Sequence, residues 1–422
     1  MIRRAAAVII RLVAKVFFRR IELAGLERVP ESAPVIFAVN HPNALIDPLF
    51  LLGFAPRRVS FLAKAPLFRL PLIGWFARAI EAIPVYRRQD AQAGVPVPHG
   101  NRETFARARD VLQRGGAIAI FPEGTTHSDP RLRELKTGAA RIALGASIRV
   151  QIVPTGLYYT AKQTFRSSAL VYFGSPIAVE PEPVDENGEP RQESVERLTN
   201  AIERALADVT LQADSHAALE LIASAERIFT AGEDIALARE LELRRQFVAG
   251  YAYLRERDPG RLTILEAKIR QVDAEELAPD QPIRRGALLL APIGIIGAVI
   301  HWPVYRLIGL LAMHLSSDED ELVATIKAVA GLVLYPLMWI ALAVIAGFRF
   351  HLLWGLLVLL VLPLLGSIAL VTVETFEAIV ARVRKRDVRK QQQAIREEIL
   401  AVARELNATS TSSLSSGAPS GA

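Results

Sequence analysis

The chain has 422 residues, enough for one sizeable core plus an appendage. It contains no cysteine, which excludes disulfides, cysteine-ligated metals and a cysteine-bound acyl intermediate. Hydrophobic residues make up 51% and mean hydropathy is +0.27, high for a purely soluble protein, while a net charge of +6 hides two local basic blocks.

The first block opens the chain. Arg3, Arg4, Arg11, Lys15, Arg19 and Arg20 occur within 20 residues without an acid, and Val8, Ile9, Leu12, Val13, Val16 and Phe17 recur among them at helical spacing. A secretory signal needs a longer apolar core and a small-residue cleavage site. Residues 1–21 are therefore expected to form an amphipathic membrane-interface helix, with packing on the following domain as the alternative.

Residues 22–185 alternate short strands with helices. "APVIFAV", "RVSFLA", "AIPVY", "GAIAIF", "VQIVPTGL" and "ALVYF" are rich in Val, Ile and Phe and bounded by Gly, Pro or charge. "NRETFARARDVLQRGG" reads as a helix that ends at Gly115–Gly116. Interleaving of this kind predicts an α/β domain with a mostly parallel sheet flanked by helices. From 186 to 283 the composition turns to Ala, Leu, Glu and Arg, the pattern of a connecting helical region.

Residues 328–347 and 352–373 hold no Asp, Glu, Lys or Arg, and each matches the ~20 residues that cross a bilayer. They predict a transmembrane hairpin over 328–373. The second basic block (Arg382, Arg384, Lys385, Arg386, Arg389 and Lys390) follows it and points to a multi-pass membrane protein whose open ends and active site lie on the cytoplasmic face. Before the hairpin, residues 284–316 form two apolar halves around "HWPVYR", expected as a re-entrant or interfacial helix pair broken at Pro303. Residues 374–422 read as a basic helix and then a disordered tail, "NATSTSSLSSGAPSGA". Basic blocks in so apolar a context suit membrane lipids, and nucleic acid is not an expected partner.

The chemistry gathers at strand ends, where ligands bind in α/β sheets. His41 follows "PVIFAV" directly, and a turn after Pro42 into a helix would return Asp47 to it. A carboxylate that fixes one imidazole tautomer makes the other nitrogen a base. The bland alternative is a capping Asp and a strand-end His without contact. "AIAIFPEGTTH" ends another strand with Glu123, suited to a hydroxyl or a turn, and Gly124, where backbone can approach an anion. "IPVYRRQD" supplies Arg87 and Arg88, and "LRELKTGAARIAL" supplies Lys136 and Gly138 at a helix start, cations able to hold a phosphate.

Taken together and in order, "NHPNALID", "IPVYR", "FPEGTTH" with "LKTGAARIALGA", and "IVPTGLYY" resemble the four blocks of the glycerolipid acyltransferase family, over roughly residues 22–180. The resemblance implies an acyltransferase-like α/β domain and transfer of a fatty acyl group to glycerol 3-phosphate or dihydroxyacetone phosphate. The acyl thioester donor would be acyl-CoA or acyl carrier protein, a co-substrate, with no cofactor and no metal. It casts His41 as general base and Asp47 as its orienter. Arg87, Glu123 and Gly124 become acceptor-binding residues, with Arg88, Thr125 and Lys136 beside them.

Two departures stand out. Five residues, rather than the family's four, separate His41 from Asp47. Thr126, followed by His127, stands where the family has Arg, leaving Arg88 or His127 to compensate. The longer first block, "TFRSSALVYFGSPI" and the hairpin resemble the family's fungal-type branch. Acylation of 1-acylglycerol 3-phosphate or another lysophospholipid is the alternative within the class, and a non-catalytic membrane lipid-binding protein the alternative outside it. There is no G-x-S-x-G elbow, P-loop or Cys/His cluster to favour a hydrolase, nucleotide or zinc reading.

Overall fold

The computed structural model describes residues 2–69, 71–86, 102–230, 233–272, 285–316, 319–384 and 389–415. They fall into two compact units, Met1–Gln212 with Ala312–Ala328, and Ala213–Leu311 with Val329–Ala422.

The first unit is built on one sheet. Its strands are β1 (Arg20–Ala24), β2 (Val35–Val39), β3 (Val59–Lys64), β4 (Ile83–Val85), β5 (Ala117–Ile120), β6 (Val150–Tyr159), β7 (Ser168–Phe173) and β8 (Ile177–Val179). They lie in the order β1-β7-β6-β2-β5-β3-β4, with β8 on β6. From β6 to β4 every pairing is parallel, while β7 and β8 pair antiparallel with β6. The architecture is a mostly parallel α/β sheet flanked by helices.

Both sheet faces are buried, as parallel strands require, and side chains alternate between them. Val35, Phe37 and Val39 join Phe61, Ala119 and Val153 on one face. Ile36 and Ala38 join Ile118 and Ile152 on the other. The first face is covered by α1 (Ile2–Phe17) through Ala14 and Phe17, by α2 (Ile46–Phe54) through Phe50 and Leu51, and by Ala324. The second face is covered by α4 (Arg102–Gln113), α5 (Gly138–Leu144) and α6 (Gln192–Ala207), whose contributors include Leu112, Ile142 and Ile202. The remaining helix, α3 (Pro71–Ala79), lies between β3 and β4 in the chain. Fully buried Ile and Phe side chains contribute about 1.5–3 kcal/mol each, so this two-sided burial is the main stabilisation of the strand ends.

Two expectations change here. The α/β unit runs to Gln212 rather than stopping at 185, because the apolar stripe of α6 seals the second sheet face. Helix α1 does pack on the domain, yet Val8, Ile9, Leu12 and Val16 stay 50–65% exposed. It has two apolar sides, only one of which is covered.

In the second unit, α7 (His216–Phe229), α8 (Leu237–Arg257), α9 (Pro259–Gln271) and α14 (Arg389–Ser415) share a core that includes Ile228, Leu254, Leu265, Ile395 and Ile399. Asp258 caps α9 by accepting from the Arg261 N–H, with Pro259 at the first position, where its missing donor costs nothing. The sequence α10 (Arg285–Leu289), α11 (Ala291–Leu315), α12 (Asp320–Arg349) and α13 (Leu352–Arg384) links these parts. Ala291–Leu315, Asp320–Arg349 and Leu352–Val380 are long and apolar enough to cross a membrane.

Helix α11 is a single helix with Pro303 inside it, not a pair broken there. Proline removes one hydrogen bond and crowds the preceding turn, but an apolar helix packed among neighbours tolerates both. At Gly297 an added Cβ would lie 2.5 Å from the Leu365 carbonyl, so only glycine permits this approach of α11 to α13. One turn on, His301 Nδ1 donates to the Gly297 carbonyl (2.7 Å) and Nε2 accepts from the Trp339 indole N–H (3.0 Å). Helix α14 runs to Ser415, into the Ser/Thr-rich stretch expected to be disordered. Once Ile395, Ile399 and Val402 anchor a helix, each further residue adds a bond for little extra ordering.

Candidate active site

Strand β2 lies between β5 and β6, all three parallel or continuous along one rim, so their carboxyl ends converge. His41 follows β2, Glu123 follows β5 and Tyr159 ends β6. The chain turns after Pro42, and Ala44 adopts a φ of 29°, a left-handed excursion that takes up the fifth residue between His41 and Asp47. Asp47 then falls in the first turn of α2. Despite the longer spacing, His41 Nδ1 and Asp47 Oδ2 are 2.8 Å apart.

Asp47 is fully buried. The same Oδ2 accepts from the Asn43 N–H at 2.7 Å, and Oδ1 accepts from the Tyr159 hydroxyl at 2.7 Å. Burial, the Asp47 charge and the hydrogen bond to it together push the Tyr159 pKa well above 10, so the phenol remains a donor. Because the carboxylate can only accept, Nδ1 of His41 carries the proton and Nε2 keeps a lone pair. The ring stacks on Phe121, with centroids 4.2 Å apart, and its side chain is 16% exposed. One edge of a fixed imidazole is thus reachable.

Glu123 is buried, and its oxygens face protein donors. It accepts from the His41 N–H (3.1 Å), the Arg133 N–H (3.0 Å) and His127 Nε2. The Asp129 N–H donates to His127 Nδ1 at 3.1 Å, which fixes the His127 proton on Nε2. The His127 N–H donates to the His41 carbonyl at 3.3 Å. Both ring nitrogens of His127 are therefore committed, and it is not a spare cation in place of the missing Arg. The "FPEGTTH" turn grips the backbone of His41 from both sides.

Gly124 is exposed, with φ of 73°, and its N–H is taken by the Phe121 carbonyl. A Cβ there would sit 3.4 Å from Lys136 Cγ, so the Lys136 stem crosses over this turn. Lys136 is exposed and has no charged partner among the described residues, while its N–H donates to the Pro122 carbonyl at 2.7 Å. The Thr125 hydroxyl donates to the Thr126 carbonyl at 3.4 Å. The backbone N–H groups of Thr125 and Thr126 have no acceptor among the described residues. Arg87 and Arg88 lie outside the described residues. They follow β4, the sheet's edge strand, three places from β2.

Three further residues belong to this site. Tyr159 is one. Lys162 Nζ donates to the Pro42 carbonyl (3.2 Å) and to Ser128 Oγ, which in turn donates to Glu321 Oε1 in the first turn of α12. Lys162 Nζ is also 3.8 Å from that Glu321 oxygen. Burial lowers the Lys162 pKa, while Glu321, Asp320 and Asp47 oppose the shift. The sequence signal for Tyr159 and Lys162 was their place at and just beyond another strand end, "GLYYTAK". Glu321 left none.

Residues 20–158 match the model of the Acyltransferase family. An uncharacterised acyltransferase of Schizosaccharomyces pombe is 27% identical over 58% of this chain and 50% of its own length. Glycerol-3-phosphate O-acyltransferase 1 of Saccharomyces cerevisiae is 27% identical over 57% of this chain and 43% of its own. A chloroplastic 1-acyl-sn-glycerol-3-phosphate acyltransferase of Arabidopsis thaliana is 33% identical over 34% of this chain and 38% of its own. The chain thus spans half or less of the length of these relatives. Among solved structures, the 1-acyl-sn-glycerophosphate acyltransferase of Thermotoga maritima is similar over 49% of this chain and 78% of its own, with a TM-score of 0.36 and 20% identity.

Proposed function

We propose, from the match of residues 20–158 to the Acyltransferase family model, that this chain transfers a fatty acyl group from an acyl thioester to glycerol 3-phosphate or dihydroxyacetone phosphate. The observation that carries the reading is the His41–Asp47 pair, with Nδ1 held and Nε2 reachable. The acceptor hydroxyl gives its proton to Nε2 as its oxygen attacks the thioester carbonyl. The N–H groups of Thr125 and Thr126 are the donors left to stabilise the oxyanion. Collapse expels the thiolate of CoA or acyl carrier protein, which takes the proton back from His41. General-base help of this kind is worth ~10²–10⁴ in rate. The route calls on no cofactor, metal or covalent enzyme intermediate.

Lys136 over the Gly124 turn supports an anionic acceptor, and Arg87 and Arg88 are proposed as further binding residues from the sequence alone. The Saccharomyces cerevisiae relative favours glycerol 3-phosphate. The Arabidopsis relative favours 1-acylglycerol 3-phosphate as the second reading. The intact dyad argues against an idle lipid-binding protein. Assays of purified protein with each acceptor, and with acyl-CoA or acyl carrier protein as donor, separate these readings. His41→Ala should abolish transfer and leave the protein in the membrane fraction; full activity would end the proposal.

We propose an even number of crossings between residues 272 and 389. The support is that α7, α8 and α9 share one core with α14, so both flanks of the apolar region belong on one side. Helices α12 and α13 make the two crossings, and α11 stays at the interface. The basic residues after 381 favour the cytoplasmic face for this side, and with it for His41. Because the chain has no cysteine, one introduced at Phe350, and another at Glu397, report sidedness directly. Labelling of the Glu397 position from outside would refute the cytoplasmic assignment, and labelling of both positions from the same side would refute the two crossings.

A further inference from the structure

We infer that Lys162 is a positioning residue for this reaction, holding the His41–Pro42 backbone to the first turn of α12 through Ser128 and Glu321. The inference rests on the reading of His41 as the base. The His41 N–H is taken by Glu123, the His41 carbonyl by the His127 N–H, the Asn43 N–H by Asp47 and the Asn43 carbonyl by Ile46 and Asp47. Pro42 has no N–H, and its carbonyl is held by Lys162. Removal of the ammonium therefore frees the one link next to the imidazole that nothing else restrains.

The other end of the clamp is docked. Ala324 is buried in the sheet's first core, and Lys327 Nζ donates to the carbonyl of Gln163 at 2.7 Å. Glu321 and Lys327 thus hold the Lys162–Gln163 loop from one helix. Helix α12 is also a candidate membrane span, so its first turn ties an apolar helix to the catalytic loop.

The clamp carries charge as well as geometry. His41 is faced by Asp47 of α2, Tyr159 of β6, Glu123 and His127 of the turn after β5, and Lys162 beyond β6; Asp320 and Glu321 of α12 lie behind Lys162. Removing a cation and removing an anion beside an imidazole act in opposite directions on its protonation. The acid limb of kcat/KM reports the free-enzyme base. Lys162→Met should move the limb to higher pH and Glu321→Gln to lower pH. A loss of packing alone would not send the two in opposite directions.

The experiment is a set of pH–rate profiles, with kcat and acceptor KM, for the full-length protein in vesicles and its variants Lys162→Met, Lys162→Arg, Glu321→Gln and His41→Ala. Lys162→Met should lose roughly tenfold in kcat with acceptor KM within about twofold, and Lys162→Arg should recover most of the loss. If Lys162→Met fails to fold, the downward limb shift of Glu321→Gln and the activity of Lys162→Arg carry the test. Unchanged kcat in Lys162→Met, limbs moving in the same direction, or a raised KM at constant kcat would each overturn the inference; the last would make Lys162 a binding residue. An active His41→Ala would remove the base reading and the inference with it.

Discussion

Replacing Asp47 by Asn tests the dyad with little change of shape. The Asn oxygen can occupy the Oδ2 position and still accept from the Asn43 N–H and from His41 Nδ1. Its NH2 group then meets the Tyr159 hydroxyl, which can accept as well as donate. Tautomer and ring orientation survive; the negative charge does not. In the transition state of the proposed reaction His41 becomes imidazolium, with charge centres about 4 Å from the carboxylate, an attraction of about 4 kcal/mol at an effective dielectric of about 20. A neutral hydrogen bond returns about 1 kcal/mol of this. A net loss of about 3 kcal/mol predicts kcat down by ~10²-fold. Without the anion the protonated ring is less favoured, so the acid limb of kcat/KM should move to lower pH. Steady-state kinetics across pH, with thermal melting to verify folding, measures both. Activity within threefold of the parent, or a limb that moves upward, would refute the argument that Asp47 polarises His41.

Tyr159→Phe leaves one oxygen of Asp47 without its donor and should destabilise by about 1.5–3 kcal/mol, read as a lower denaturation midpoint. Above pH 10 unfolded Tyr159 loses its proton while the folded form keeps it, so parent stability falls as pH rises, by about 1.4 kcal/mol per unit. The melting temperature of the Phe variant should therefore vary less between pH 10 and 11; parallel curves would contradict the assignment. Lys136→Met should raise the acceptor KM about tenfold with kcat little changed, if its exposed ammonium holds phosphate; an unchanged KM would remove it from the site. His301→Leu leaves the Trp339 N–H without its acceptor and removes the side-chain donor to the Gly297 carbonyl, and should lower the free energy of detergent unfolding by about 1–2 kcal/mol.

Local chemistry carried most of what the sequence revealed. Strand ends at His41 and Glu123 follow from apolar runs that stop at polar turns, and interleaved helices require those strands to be parallel. The strand order does not follow, and it is the order that brings Tyr159 beside Asp47. Glu321 reaches Lys162 from almost 160 residues further along, where it is the last of four consecutive acids and nothing local singles out the one that faces the site. Glu123 was expected to meet the acceptor because of its block; only the fold shows three protein donors around it. The boundary at 185 was misplaced because composition cannot distinguish an amphipathic connector from α6, which completes a core. Pro303 misled for a similar reason, since its effect depends on neighbours the sequence does not display.

The two apolar attachments of the first unit, α1 and the start of α12, both pack on the same face of its sheet. The opposite face is sealed by α4, α5 and α6, whose outer sides are rich in charge. Such a domain has a floor and a roof. Engineering for crystallisation or solubility can rewrite the roof freely, whereas trimming the floor would remove the unit's apolar attachments before any group of the candidate site had been touched.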